Sequence, residues 1–233
     1  MGNYDYIKQN IMDVKERIKK ASEKSGRKFE DINLITVTKN VEVEKIITAS
    51  NESLKDFGEN RVQELLKKYD ILKEGYDWHL IGHLQTNKVK YIIDKVCLIH
   101  SVDRIDLVKE IQKRAQKSGT NINLLIQVNV SGEETKYGLN SESVYDFILE
   151  TAKNKNITVK GLMTIAPFVS NPKEVRYVFK KLREIFVDIS KEKNDNINME
   201  YLSMGMSNDF EVAIEEGANM VRIGTAIFGK RPD

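Results

Sequence analysis

A lysine just beyond an apolar run is the first residue of this sequence whose type and place suggest chemistry. In the segment DINLITVTKN, residues 31–40, the apolar and β-branched run 34–37 is followed closely by Lys39. A lysine there can lay its stem on apolar surface and keep its ammonium in water. It can also be an amine in a partly desolvated rim, which favours the neutral nucleophile that forms a Schiff base. Which of these two roles applies to Lys39 depends on the other residues of the same rim.

Composition and charge narrow the function classes. The chain has 233 residues, 40% of them hydrophobic, and its 37 Lys and Arg residues are interleaved with 35 Asp and Glu residues. An even mixture of charges does not predict nucleic-acid binding. The single cysteine, Cys97, excludes an internal disulfide, and no apolar stretch approaches the ~20 residues that cross a bilayer. With no signal-peptide pattern at the start, we expect a cytoplasmic protein that is not bound to a membrane.

The elements that must position such residues alternate along the chain. Ile7, Ile11, Val14 and Ile18 predict an opening helix that ends at Ser25 and Gly26. Helical patterns also occupy residues 61–72 and 174–189. Eight strand candidates follow the opening helix, at residues 33–39, 54–58, 77–82, 97–102, 122–130, 157–165, 199–204 and 220–224.

Strands that are apolar on both faces and alternate with amphipathic helices are typical of a parallel sheet covered on its outside. Eight such units in this length predict one α/β domain over residues 1–233, a single (β/α)8 TIM barrel with an extra N-terminal helix. An open doubly wound sheet is the alternative. The count favours the barrel, and no GxGxxG follows the first strand, where a dinucleotide-binding open sheet would need it.

The last two predicted strands offer a partner for the lysine. In a barrel the chemistry lies at the C-terminal ends of the strands, and the loops after strands seven and eight commonly bind phosphate. Gly205 and Gly224 allow close backbone approach there, and the hydroxyls of Ser203 and Thr225 can donate hydrogen bonds. Alone, this segment equally fits a turn and a helix cap. Together with an aldehyde-reactive lysine it fits pyridoxal 5'-phosphate, PLP, whose ring carries an aldehyde and a phosphate.

Several long motifs carry a family resemblance over nearly the whole chain. TVTKN, FGENRVQEL, WHLIGHLQTNK, HSVDR, GLMTIAP and LSMGMSNDFEVAIEEGANMVRIGTAIFG resemble the YggS/PROSC family, the pyridoxal phosphate homeostasis proteins. The resemblance implies a barrel similar to the N-terminal domain of bacterial alanine racemase, with PLP held as an aldimine. It also implies roles for individual residues: Lys39 is the Schiff-base lysine, Ser203, Gly224 and Thr225 bind the phosphate, Asn60 lies beside the ring, and Arg222 lies near the pyridine nitrogen.

For several other residues the sequence allows two interpretations. In MVRIG, alternation places Arg222 opposite Val221 and Ile223, so in the barrel interior it would need a partner such as Glu200 if it does not face a cofactor. Met204 lines either the cofactor pocket or the core, and His79 faces either the ring or the core. His79 and His83 are four residues apart, but no further ligand completes a metal site, so none is expected. Glu59, Arg61 and Asp103 are expected as rim charges.

Three function classes follow. The resemblance implies a cofactor-binding protein of PLP homeostasis, without substantial turnover and able to deliver PLP to apo-enzymes. Separately, we expect a monomer. A PLP-dependent racemase is the alternative, and a Schiff-base aldolase without cofactor is more remote. Alanine racemases carry a second domain with a catalytic tyrosine, for which we expect no room before Asp233. Tyr137, just beyond the fifth strand, is the residue that could replace that acid, unless it only packs on the rim.

Overall fold

Eight parallel strands form a closed barrel in chain order, and the last strand pairs with the first. The computed structural model describes residues 4–229, so residues 1–3 and 230–233 of the predicted domain lie outside it. The strands are β1 Asn33–Val37, β2 Asp56–Glu59, β3 Asp77–Leu80, β4 Leu98–Val102, β5 Ile122–Gln127, β6 Ile157–Met163, β7 Ile197–Ser203 and β8 Met220–Ile223. Each predicted strand overlaps one of them, so the predicted (β/α)8 barrel is confirmed.

The strands are largely buried because each face of the sheet packs against other side chains. Inside the barrel a buried apolar cluster is formed by Ile35, Leu98, Leu125, Met163 and Met220. Many of the alternate side chains point outward and join a larger core beneath the helices. A parallel sheet covered in this way leaves no apolar face in water.

Helices cover the outside of the barrel. They are α1 Asp5–Lys24, α2 Val43–Asn51, α3 Val62–Leu72, α4 Ile105–Ser118, α5 Val144–Thr151, α6 Arg176–Ile189, α7 Phe210–Glu215 and α8 Thr225–Phe228. The connection between β3 and β4 contains the 3-10 segment Thr86–Tyr91 where the other crossovers have α-helix. Among residues 4–229 no helix is both long and apolar enough to cross a bilayer.

The extra N-terminal helix is confirmed. The four isoleucine and valine residues that predicted α1 are all buried, and α1 packs against α7, α8 and α2. Gly26 adopts a φ of 71° directly after the capping residue Ser25, which is the left-handed conformation that ends helices. The helix therefore covers the side of the barrel where the chain closes on itself.

Strand register brings the predicted site residues to one rim. Ile35 of β1 pairs with Arg222 of β8, and Val37 of β1 pairs with Gly58 of β2. Lys39 and Asn60 each lie two residues beyond these inward positions, so both point into the mouth at the C-terminal ends of the strands. This end is where barrel folds place their chemistry.

Candidate functional site

A cavity of about 310 Å³ opens at the C-terminal rim of the barrel. It brings together five of the nine predicted cofactor-binding residues, which are Lys39, Asn60, Arg222, Gly224 and Thr225. Its remaining lining is Val37, Ile81, Ile165, Phe168, Met206, Ser207 and Asn208. The cavity thus combines an amine and a guanidinium with hydroxyl groups and an apolar wall.

The backbone that carries Lys39 is fixed on both sides. Before it, the Thr38 hydroxyl donates to Glu59 Oε1 at 2.6 Å and the Thr38 carbonyl accepts from Lys68 Nζ at 2.6 Å. After it, the Asn40 N–H donates to a Glu64 carboxylate oxygen at 2.5 Å. Among the described residues, no hydrogen bond or ion pair holds Lys39 Nζ itself. The half-buried amine is therefore aimed at the cavity from a rigid base.

Glu59, Lys68 and Glu64 form a buried ion cluster behind this segment. Lys68 Nζ lies 2.6 Å from Glu59 Oε1 and 2.7 Å from Glu64 Oε1, and the Glu59 side chain is fully buried. Burial raises the pKa of Glu59, partly offset by the charge and hydrogen bond of Lys68. The expectation that Glu59 is a rim charge was wrong. Strand alternation points it outward under α3, where it supports Thr38.

Arg222 is the second charged group of the cavity and is 4% exposed. Its Nη1 donates to Ser203 Oγ at 2.6 Å and its Nη2 donates to the Thr164 carbonyl at 2.8 Å. Burial lowers its pKa to about 10, so the guanidinium stays charged at neutral pH. The alternative partner, Glu200, was wrong because that carboxylate pairs with Lys160 at 2.9 Å. Only two of the five guanidinium N–H groups thus have protein acceptors among the described residues.

Four predicted cofactor-binding residues lie away from the cavity lining. Ser203 is fully buried beneath Arg222, and Met204 is buried in the core. Gly205 adopts a φ of 92°, and a Cβ there would lie 2.8 Å from the Phe210 Cα, so it permits close packing of α7. His79 lines a different cavity, at the opposite end of the barrel. Direct contact of these four with a cofactor stays a prediction.

The turn after β7 and the start of α8 form the polar end of the cavity. Ser207 Oγ accepts a hydrogen bond from the Ala226 N–H at 3.2 Å, which ties the two segments together. α8 begins at Thr225, and its Ile227 and Phe228 N–H groups donate to the Gly224 carbonyl. The hydroxyls of Ser207 and Thr225 therefore lie together where the sequence predicted a phosphate site.

The apolar wall comes partly from Met206, which the sequence placed in either the pocket or the core, and partly from Ile165 and Phe168, which were not among the predicted cofactor-binding residues. Phe168 is 92% exposed and Ile165 and Met206 are each 38% exposed at the mouth. Their position in the sequence could have indicated this role, because Ile165 and Phe168 directly follow the end of β6 in GLMTIAPF. Covering exposed apolar side chains at a strand end with a ligand removes apolar surface from water, which favours binding.

Tyr137 does not line the cavity. Its ring stacks on His83 with centroids 4.0 Å apart and an angle of 19° between the planes. His83 lies in a neighbouring depression with Arg61, and Asp103 pairs with Arg104 at 3.0 Å. Burial and the charge of Arg104 lower the pKa of His83. In the described part of the chain, no group of three or more histidine, cysteine or acidic side chains is arranged to hold a metal ion.

Comparison with solved structures gives the same fold. A protein of Bifidobacterium adolescentis matches with a TM-score of 0.92 and 32% identity over 98% of this chain and 97% of that chain. PipY of Synechococcus elongatus, in a structure with PLP bound, matches with a TM-score of 0.79 and 31% identity over 85% of this chain and 93% of that one. An alanine racemase of Clostridium difficile, at 20% identity and a TM-score of 0.71, covers 98% of this chain and 58% of its own, and shows the fold alone.

Sequence comparison names the family. The family described as alanine racemase, N-terminal domain, matches residues 4–232. The pyridoxal phosphate homeostasis protein of Aquifex aeolicus is 51% identical over 96% of this chain and 97% of the relative. The protein of the same name from Pseudomonas aeruginosa is 35% identical over 97% of this chain and 96% of the relative. The chain therefore belongs to the family of pyridoxal phosphate homeostasis proteins, on the barrel fold of the alanine racemase N-terminal domain.

Proposed function

We propose that this protein binds PLP in the rim cavity and serves PLP homeostasis as a holder and donor of the cofactor. The observation that carries the proposal is the meeting of Lys39, Arg222 and a hydroxyl-lined helix start in one cavity of about 310 Å³. An aldehyde-bearing ring with a phosphate on its other side needs these three kinds of group. The PLP-bound structure of PipY, which is 31% identical, supports the same assignment.

The residues present fit the cofactor. Lys39 would hold it covalently through Nζ, and the hydroxyls of Ser207 and Thr225 would hold the phosphate. Val37, Ile81 and the exposed mouth residues would cover the ring, which removes their apolar surface from water. The N–H groups of Arg222 that lack protein acceptors would be satisfied by the bound molecule.

Arg222 also bears on reactivity. PLP, when bound, supplies a ring that withdraws electrons from a substrate carbon, and it does so best when the ring nitrogen is protonated. Arg222 is a cation that only donates hydrogen bonds, so beside that nitrogen it disfavours protonation. Its two hydrogen bonds to Ser203 and Thr164 keep it in this orientation.

The lining supports a carrier more than a racemase. Racemisation needs an acid or base on each side of the substrate carbon, within about 2.6–3.2 Å of the moving proton or through one water. Among the described residues that line the cavity, only Lys39 and Arg222 are titratable. Tyr137, the candidate second acid, is instead stacked on His83. We infer a single-domain, monomeric, cytoplasmic protein with negligible turnover that passes PLP to apo-enzymes.

Two assays on the same purified protein test this function. The PLP-loaded protein is mixed with an apo-aminotransferase to measure recovery of aminotransferase activity, and separately with alanine in D2O to measure exchange at the α-carbon. We expect transfer without exchange at enzymatic rates, and Lys39→Ala loaded under the same conditions serves as the control. Exchange at about 1 to 10³ per second would replace the carrier with a catalyst. Failure to retain PLP at all would refute both.

A further inference from the structure

A continuous line of hydrogen bonds crosses the interior of the barrel from Arg222 to the opposite end. Arg222 Nη1 lies 2.6 Å from Ser203 Oγ, and Ser203 Oγ lies 3.2 Å from His100 Nδ1. His100 Nε2 lies 3.0 Å from His79 Nδ1, and His79 Nε2 lies 3.1 Å from Asp56 Oδ1. We call these five residues the interior relay. They belong to five different strands or strand ends, so only the closed barrel brings them together.

One consistent direction can be assigned to the hydrogen bonds of the interior relay. Arg222 can only donate, the Asp56 carboxylate accepts from His79 Nε2, and each imidazole between them is assigned one donor and one acceptor nitrogen. The Ser203 hydroxyl accepts from Arg222 and donates to His100 Nδ1. His100 then carries its proton on Nε2 and donates to His79 Nδ1, and His79 donates from Nε2 to Asp56. These proton positions are a tautomer assignment made from the hydrogen-bond network.

The surroundings of the two histidines agree with this direction. The Cys97 thiol donates to the Trp78 carbonyl at 3.3 Å, so its sulfur, 3.4 Å from His79 Nε2, faces that nitrogen as an acceptor. His100 is fully buried. Burial, together with His79 and Arg222, lowers the pKa of His100 well below its usual value and keeps the ring neutral.

The interior relay also explains how the buried guanidinium is oriented although no carboxylate is hydrogen-bonded to it; the charge of Asp209 acts on Arg222 without such a bond. No salt bridge to Arg222 is present in residues 4–229, and its side-chain acceptor is the hydroxyl of Ser203. A free serine hydroxyl can rotate. When it donates to a fixed nitrogen, its orientation is fixed, and so is the lone pair that accepts from Arg222. The carboxylate that completes the arrangement is Asp56, which lines the far cavity of about 230 Å³.

We propose that Ser203, His100, His79 and Asp56 are positioning residues that orient the Arg222 guanidinium from the far end of the barrel, through one directional hydrogen-bond relay. The consequence for PLP rests on the proposed function. The relay itself does not, because it is complete without any bound molecule. Ser203, predicted as a phosphate ligand, and His79, predicted to face either the ring or the core, act in this proposal through Arg222.

The first test uses the cofactor-free protein. The sequence has three histidines, so nitrogen-15 NMR of the imidazoles resolves the relay pair and leaves His83, stacked on Tyr137, as an internal control. We expect the His100 proton on Nε2, with Nδ1 accepting from Ser203. Ser203→Ala should disturb the His100 tautomer and leave His83 unchanged. A proton on Nδ1 of His100, or a His100 signal that Ser203→Ala does not change, would overturn the proposal whether or not PLP binds.

The second test follows the far end of the relay by PLP affinity and by the absorption spectrum of the loaded protein. Asp56→Ala removes the terminal acceptor, and Asp77→Ala is the control because Asp77 lines the same cavity without joining the relay. We expect PLP affinity to fall about tenfold in Ser203→Ala and roughly two- to threefold in Asp56→Ala, with a shifted spectrum, as for lost single hydrogen bonds. Asp77→Ala should match the wild type. Equal behaviour of the two aspartate variants would refute a relay that reaches Asp56.

Discussion

Replacement of Lys68 by methionine tests how the buried ion cluster supports the reactive lysine. Lys68 Nζ contacts the Thr38 carbonyl at 2.6 Å, Glu59 at 2.6 Å and Glu64 at 2.7 Å. Methionine preserves much of the apolar stem and removes all three contacts. Within residues 4–229, the change leaves the fully buried Glu59 carboxylate with only the Thr38 hydroxyl, at 2.6 Å, as a donor.

The magnitude follows from burial. Removing one partner of a buried ion pair leaves an uncompensated charge and costs about 3–5 kcal/mol. An exposed pair of the same type is the control: Lys153 lies 2.5 Å from Glu150, with side chains 71% and 53% exposed. Lys153→Met should cost about 0–1 kcal/mol. The loss of unfolding free energy in Lys68→Met should therefore be several times larger than the loss in Lys153→Met.

The pH dependence of this loss has a definite sign. Burial already raises the pKa of Glu59 in the folded protein, and loss of Lys68 raises it further. A folded carboxyl with a raised pKa binds protons that the unfolded chain has released, so stability falls as pH rises from the unfolded pKa through the folded pKa. The deficit of Lys68→Met relative to the wild type should therefore shrink as pH is lowered through that window. The double variant Glu59→Gln/Lys68→Met should not show this dependence.

Urea unfolding of the wild type, the two lysine variants and the double variant at several pH values gives these free energies. The PLP affinity of Lys68→Met should fall as well, because the segment that carries Lys39 loses its support at Thr38. A deficit below 1 kcal/mol, or one that grows at acid pH, would refute the reasoning.

Two further predictions concern the cavity and the barrel wall. Ser207→Ala combined with Thr225→Ala should weaken PLP binding with little effect on pyridoxal, each lost phosphate hydrogen bond contributing about 1.5–3 kcal/mol, as measured by equilibrium dialysis. Equal affinities of the wild type for the two compounds would argue against the phosphate site. Gly161, with a φ of 148°, has no space for a Cβ beside the Tyr201 carbonyl, so Gly161→Ala should cost about 3 kcal/mol or more in urea unfolding. Gly26→Ala, whose Cβ meets nothing within 4 Å, should cost only about 1 kcal/mol, and similar costs would contradict the steric argument.

The fold was predictable because its signals are local and repeated. Most strands contain a short apolar run, and the first and sixth helices have apolar residues at the spacing of one buried face. The inward direction of Arg222 also followed from alternation between Val221 and Ile223. Lys39, Asn60, Gly224 and Thr225 were predictable because parallel strands end at one rim, and the structure places all four on the cavity.

Pairings across the barrel were not predictable from local patterns. Glu59 was expected at the rim, but alternation sends it outward, and its partner Lys68 lies on the buried face of α3. From sequence alone, a lysine in a helix is predicted to be exposed unless the carboxylate that it pairs with is known. The partners His79 and His100 are 21 residues apart, and His100 and Ser203 are 103 residues apart. Such contacts depend on the register of the whole barrel.

The most direct test of the central claim is the site of covalent attachment. The PLP-loaded protein is reduced with borohydride, digested and analysed by mass spectrometry, with Lys39→Ala and Lys88→Ala treated in parallel. Lys88 is a suitable control because it lines the neighbouring depression and not the cavity. The account predicts a pyridoxyl adduct on Lys39 in the wild type and in Lys88→Ala, and its loss in Lys39→Ala. An adduct mainly on another lysine, or none on the wild type, would contradict it.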